Sequence, residues 1–587
     1  MTTNSPPRCV LQDTIGLGDF LTLDEATILH QIHAAFQPEL ERLKNATAVE
    51  GTAEQRRANG TSDQPSPSQI LYGTNYDEIN RTLVGVLALR WILNNDYHRF
   101  TQGQPLDTKL TQSSFQWLHD LFFQGLTSSE DMFALILSMV INDLGKDPNL
   151  VKDFESLTHR SIPDQNHDAI LLEAANVDMI PALRYLTEEK KQEVLKGLEL
   201  GSELNAGQLA QAESVPFNLE GLYEMRGHLH AFELKFMEQI LDVAAAAGHL
   251  DCRGARNFIE PVHQAFKMVR EVSLDIIDGK SNLRQGYDKV LTKRGNLLVR
   301  AGFRKLSVGA DEDRALLRLL TMGRTTDKHQ AELFSEAFQA LEVPVKAQLV
   351  RGLNIDGNVN ETAVLPYYMP AIMSKTLERT RDLSQEDRQR ALTSLMKYLA
   401  RVLATDPGDT RYTPDGQVPG IIIERNMSIV QEVIDSPAFK ANPSFDALDV
   451  PDGHVLLRRP SNMDATNLAI QLVTSPTGSP PYNNHTIDDG YTGWTTGGGI
   501  TFGIVVLAFL CILVILILAT AHGVARLHES GYDHPYVRAV MIPKTHNNYG
   551  TVDNMDKPQY NDIVSSVDWK MDDDRLAYLS MADWDVV

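Results

Sequence analysis

Apolar residues recur at helical spacing along most of the first 400 positions. Over 24–44, Ile28, Ile32, Ala35, Phe36, Leu40 and Leu43 fall on one side, which predicts an amphipathic helix. The segment 77–96 repeats the pattern with Ile79, Leu83, Val86, Leu87, Arg90 and Trp91, and 114–124 reads as a short aromatic helix. Ser128, with Asp131 three residues on, is an N-cap signature for a helix running to about residue 145. Its stretch MFALILSMVI is apolar on every side, which makes it a central helix surrounded by others and too short to span a bilayer. Further helices are predicted over 168–175, 180–186, 188–198, 219–247, 256–278, 311–322, 327–340 and 385–404. Strand-like alternation is scarce; GIIIER near 420 and HVLLRR near 454 are the two candidates. There is no repeat of fixed period. The predicted fold class is mainly α: a large multi-helix soluble region plus one C-terminal transmembrane helix.

The organisation follows from composition. Residues 1–69 form an N-terminal helix and a polar, Gly/Pro/Ser-rich linker. Residues 70–260 read as one helical domain and 261–470 as a second helical region. A stalk rich in Thr, Pro, Gly and Asn occupies 471–499. Residues 500–521, ITFGIVVLAFLCILVILILATA, carry no charge. At about 1.5 Å per residue this run covers roughly the 30 Å hydrocarbon core, and lipid demands a helix because it offers no partner for free backbone groups. The tail, 522–587, holds six Lys/Arg and eleven Asp/Glu and is expected to be disordered.

Orientation is contested within the sequence. Arg526, Arg538 and Lys544 follow the span, and the twenty residues before it hold no Lys or Arg, so the positive-inside rule puts the tail in the cytoplasm. The first twenty residues lack the pattern of a secretory signal peptide, which favours a cytosolic N-terminal region. That placement is the expectation adopted here. A join of two reading frames at the C-terminal segment would produce the same mismatch. Six N-x-S/T triplets begin at Asn45, Asn59, Asn80, Asn360, Asn426 and Asn484, and they carry meaning only outside the cytosol. In the tail, Tyr549, Tyr560 and Tyr578 each begin a tyrosine-x-x-apolar tetrapeptide. These resemble sorting signals read by adaptor proteins, and work only if the tail is cytosolic.

Composition narrows the partners. Of 587 residues, 43% are hydrophobic and 22% charged, the mix of a globular chain. A formal charge of −23 with no basic patch argues against nucleic acid. Cys9, Cys252 and Cys511 are too few and too scattered for a disulfide scaffold or a cysteine zinc site. Asp356-Gly-Asn-Val-Asn360 departs from a calcium loop at its sixth and twelfth positions. The partners expected are a lipid bilayer and unidentified proteins, with no cofactor.

The most suggestive chemistry closes the apolar helix: Asn142-Asp143-Leu144-Gly145-Lys146. A carboxylate at the end of a buried helix needs a partner, and Gly145 is placed to take the left-handed cap conformation. The motif resembles the HD-domain superfamily, whose signature is a His-Asp pair continuing as HD-x-G-K. Asp143, Gly145 and Lys146 match, and Asn142 stands where the histidine belongs. The resemblance covers about 70–260. It implies a one- or two-metal phosphohydrolase site holding Mn, Fe, Zn or Mg, completed by histidines and a late aspartate on other helices. The candidates are His98 or His119 upstream, His167, His228 beside His230, and Asp242, with Lys146 meeting phosphate. Such a metal would lower the pKa of a bound water. Two functions therefore stand open: a membrane-tethered, non-enzymatic helical protein that binds partners, favoured because the decisive histidine is replaced, or an HD-like metal-dependent phosphohydrolase.

Overall fold

A computed structural model describes residues 6–46, 64–160, 162, 167–357, 361–404, 422–427, 430–445 and the backbone of 454–458. These belong to the larger of two units, 1–475 with 571–587; the other, 476–570, contains no described residue. The stalk, the apolar run 500–521 and the tail tyrosines Tyr549, Tyr560 and Tyr578 thus lie outside the described residues. Among the described residues no helix is long and apolar enough to cross a membrane.

The architecture is mainly helical. The amphipathic segment near the N-terminus is two helices, α1 (Glu25–Ala35) and α2 (Gln37–Leu43). Pro38 in the first turn of α2 has no N–H to continue the ladder of α1. Then come α3 (Asp77–Leu93), α4 (Gln112–Gly125) and α5 (Ser129–Ile141). The cap of α5 is a reciprocal box between Ser128 and Asp131, as its sequence signature predicts. After α5 the chain makes one 3-10 turn, Leu144–Lys146, and enters α6 (Pro148–Thr158) and α7 (His167–Asn176). Next are α8 (Glu188–Glu203) and α9 (Leu229–Ala245). The helix predicted from 219 begins ten residues later, because Gly227 takes a left-handed φ of 81° and resets the chain direction before His228.

Helix α9 packs on α3, α5 and α8, so the apolar segment of α5 does sit among other helices. From Phe133 to Ile141 only Ser138 is more than marginally accessible. Each large apolar side chain so buried contributes about 1.5–3 kcal/mol. Helices α10 (Glu260–Ile277) and α11 (Leu283–Arg300) join the same core, which gathers residues from Leu11 to Leu317. Residues 261–291 therefore pack with the domain expected to end at 260.

A second core runs from Leu298 to Phe445. It takes α12 (Asp311–Met322), α13 (Lys328–Gln339), α14 (Val343–Asn354), α15 (Met369–Arg379) and α16 (Gln385–Val402). A small sheet closes it, with β1 (Ala363–Tyr367) parallel to β2 (Ile422–Asn426) and β2 antiparallel to β3 (His454–Arg458). Both predicted strands are present; β1 escaped prediction because it holds Pro366, which an edge strand tolerates.

Helix α12 joins the cores. Leu317 enters the first and Leu316, Leu319 and Leu320 the second. Its Arg318, fully buried, donates to the carbonyls of Ala212, Glu213, Ser214 and Leu353. Asp356, the first residue of the calcium-like loop, instead pairs with Arg284 at 2.5 Å and faces Arg314 at 3.9 Å.

Candidate functional site: a buried ion-pair network

Nearly every residue of α3 from Glu78 to Ile92 is buried, so its charged positions must find partners inside the protein. Glu78 and Arg81, one turn apart, pair at 2.9 Å. The turn after α5 supplies Asp143 and Lys146, with Nζ of Lys146 2.9 Å from Oδ1 of Asp143 and 3.3 Å from Oε2 of Glu78. The start of α7 brings Nε2 of His167 to 4.0 Å from Asp143 and 3.7 Å from Asp168. From α9, Lys235 pairs with Glu238 at 2.5 Å, and Asp242 faces Asp143, Arg81, Lys146 and Lys235. Lys235 reaches its place beside Gly201 of α8, where a Cβ would press on its side chain.

Burial pushes the carboxyl of Glu78 up to about 7, helped by Asp143 and opposed by Arg81 and Lys146. Burial does the same to Glu238, up to about 7 against Lys235. Asp242 is raised by burial and by the charge of Asp143. For Asp143 burial acts in the same sense, but Lys146, Arg81 and a hydrogen bond with Glu78 outweigh it and hold the group far below the usual carboxylate range. The network thus sets the carboxyls of Glu78, Asp143, Glu238 and Asp242 against the cations Arg81, Lys146 and Lys235.

Gly145 has a role other than the predicted one. It does not take a positive φ. Its hydrogen is what allows the backbone of His167 to cross the turn, since a Cβ there would overlap the carbonyl of His167.

Of the candidate ligands, Asp143, His167 and Asp242 share this neighbourhood. His98 is exposed and lies edge-on to Tyr97. His119 stacks on Phe123. His228 is exposed at the N-cap of α9, fourteen residues or about 21 Å of helix from Asp242, so one ion cannot join them. The divalent metal implied by the HD resemblance meets a further obstacle. The Asp143 oxygen that would ligate it carries the ammonium of Lys146, and Arg81 adds a second fixed positive charge. The residues do not fit that metal.

Pattern reading missed Glu78, Arg81, Lys235 and Glu238. The available signal was opposite charge at i, i+3, in Glu78/Arg81 and Lys235/Glu238, within helices rich in apolar residues. Among the described residues, the cluster with metal-ligand spacing is a different one: Asp131, Glu193 and His230. A cleft of about 620 Å³, lined by Asp311, Val343, Lys346 and Arg351 among others, contains none of these residues. Asn80, which begins an N-x-T triplet, is buried and accepts from the backbone N–H of Ser68, leaving no room for a glycan.

Fold and site together define a class: a mainly helical protein whose first core encloses a network of ion pairs. The chain belongs to the family of unknown function DUF6829, whose model matches residues 29–445, more than half its length. No curated protein and no solved structure gives a match.

Proposed function

We propose that this chain is a membrane-tethered, non-enzymatic helical protein that binds protein partners, and that its HD-like motif serves structure. One observation carries the second part: Lys146 places its ammonium 2.9 Å from Asp143 and within reach of Glu78. The lysine that the resemblance assigns to a phosphate is thereby spent on the carboxylate that it assigns to a metal. The tether rests on the uncharged run 500–521.

Phosphate release from nucleotides by the full chain, with Mn²⁺ present, tests the first claim. The proposal expects no release that Asp143→Asn abolishes. Release above background, lost in that variant while it stays folded, supports the competing phosphohydrolase. Carbonate extraction tests the tether: the full chain should stay with the membrane pellet, and a chain recovered in the supernatant would sink it.

A further inference from the structure

The cluster Asp131–Glu193–His230 stands apart from the network around Asp143 and is built from three helices. Asp131 is 1% exposed. Its Oδ2 accepts from Thr127 N, Thr127 Oγ1 and Ser128 N, the cap of α5, which fixes the side chain in place. Its Oδ1 is turned from the cap toward Lys190 of α8 and His230 of α9. There it meets Nε2 of His230 at 3.5 Å, and this ring nitrogen is itself buried with no hydrogen-bond partner. Glu193 completes the set, its Oε2 3.1 Å from Nδ1 of His230. One ligand atom from each residue lies within 4.8 Å of the others. Ligands about 2.0–2.2 Å from a zinc ion sit about 3.4 Å apart, so small side-chain movements close the set.

The present occupant is an ammonium. Nζ of Lys190 lies 2.7 Å from Asp131 Oδ1 and 2.8 Å from Glu193 Oε2. A position that holds a cation between two carboxylates, with an imidazole nitrogen left over, offers more to a metal than to a lysine. The ammonium uses the charge of the carboxylates and leaves the nitrogen idle. A borderline transition metal uses both. Lys190 is also displaceable, a point charge on a flexible four-carbon stem, and the guanidinium that adds a second positive charge at Asp143 has no counterpart among the groups acting on Asp131.

We propose that Asp131, Glu193 and His230 form a binding site for a divalent transition metal, with Zn²⁺ the best match, in competition with the ammonium of Lys190. The ion would clamp the starts of α5 and α9 to α8 and keep a coordination position for water, as three-ligand sets do.

Calorimetric titration of the full chain with Zn²⁺ tests this. One equivalent should bind. His230→Ala should weaken it about tenfold or more, and Lys190→Met should tighten it by a similar factor because the competing cation is gone. Asp143→Asn should leave it unchanged, which separates this site from the HD-like motif. Co²⁺ should give visible absorption bands that His230→Ala removes. Failure of both the wild type and Lys190→Met to take up one equivalent would overturn the proposal, as would unchanged affinity in a folded His230→Ala.

Discussion

Removing the ammonium of Lys146 perturbs the first core most informatively. In Lys146→Met the stem keeps most of its volume, so the change is chiefly electrostatic. Asp143 is 4% exposed and Glu78 1%, and the side chain of Lys146 is 14% exposed, so solvent screens the group weakly. Breaking a buried pair by removing one partner typically costs about 3–5 kcal/mol, because the other charge stays buried and uncompensated. Arg81 remains close to Asp143, which places the expectation at the lower end, about 3 kcal/mol. Asp143→Asn should cost a similar amount, as it strands Lys146. The double variant should cost less than the two singles together, by at least about 1.5 kcal/mol, because each change removes the charge that the other exposes. Hydrogen exchange read by mass spectrometry on peptides from α3 and α9 of the full chain measures these costs locally. A lysine waiting for a phosphate would behave differently. If Lys146→Met costs less than about 1 kcal/mol, or if the two costs simply add, the network is not structural and the reasoning fails.

Three further outcomes follow. Gly145→Ala should destabilise the contact between the 144–146 turn and α7 by about 1–3 kcal/mol, since a backbone must move to admit the methyl group, and a melting temperature equal to wild type would refute that close approach. Arg318→Leu should cost at least about 3 kcal/mol, because buried carbonyls of Ala212, Glu213, Ser214 and Leu353 lose donors; urea unfolding that shows a loss below about 1 kcal/mol would contradict its place at the joint. Glu78 and Glu238 both have folded values raised to about 7 from 4.5, so their contribution is fully present below about pH 4.5 and lost as pH rises through about 7. The difference in unfolding free energy between pH 5 and pH 8 should therefore shrink by about 2–3 kcal/mol in Glu78→Gln while the Glu238 part persists; an unchanged difference would show that Glu78 is ionised in the fold.

Periodicity revealed the helices because each buries a stripe, and α5 stood out because it buries every side. It failed where a local geometric event decides the outcome. Pro38 divides one amphipathic pattern into two helices, and Gly227 delays α9 to residue 229, although the apolar spacing runs through both. The strands of the small sheet were legible at 422–426 and 454–458 from their β-branched and alternating residues, whereas Pro366 hid β1. Helices α14 and α15 were missed because Pro344 and Pro370 read as breakers, yet both sit in a first turn, where a helix tolerates proline. At the site, the motif located Asp143 and Lys146 but not their relation to each other. Three residues apart across a 3-10 turn, they face one another, and no reading of spacing alone distinguishes a lysine that meets a ligand from one that meets its own aspartate. Glu78, Arg81, Lys235 and Asp242 come from distant helices, so only the packing of α9 on α3 brings them together.

The most direct test of a structural rather than metal-bearing HD-like motif is anomalous diffraction from crystals of the protein grown with Mn²⁺. The account predicts that Lys146 bridges Asp143 and Glu78 with no anomalous peak between Asp143, His167 and Asp242. A peak there, with the lysine turned away from Asp143, would contradict it.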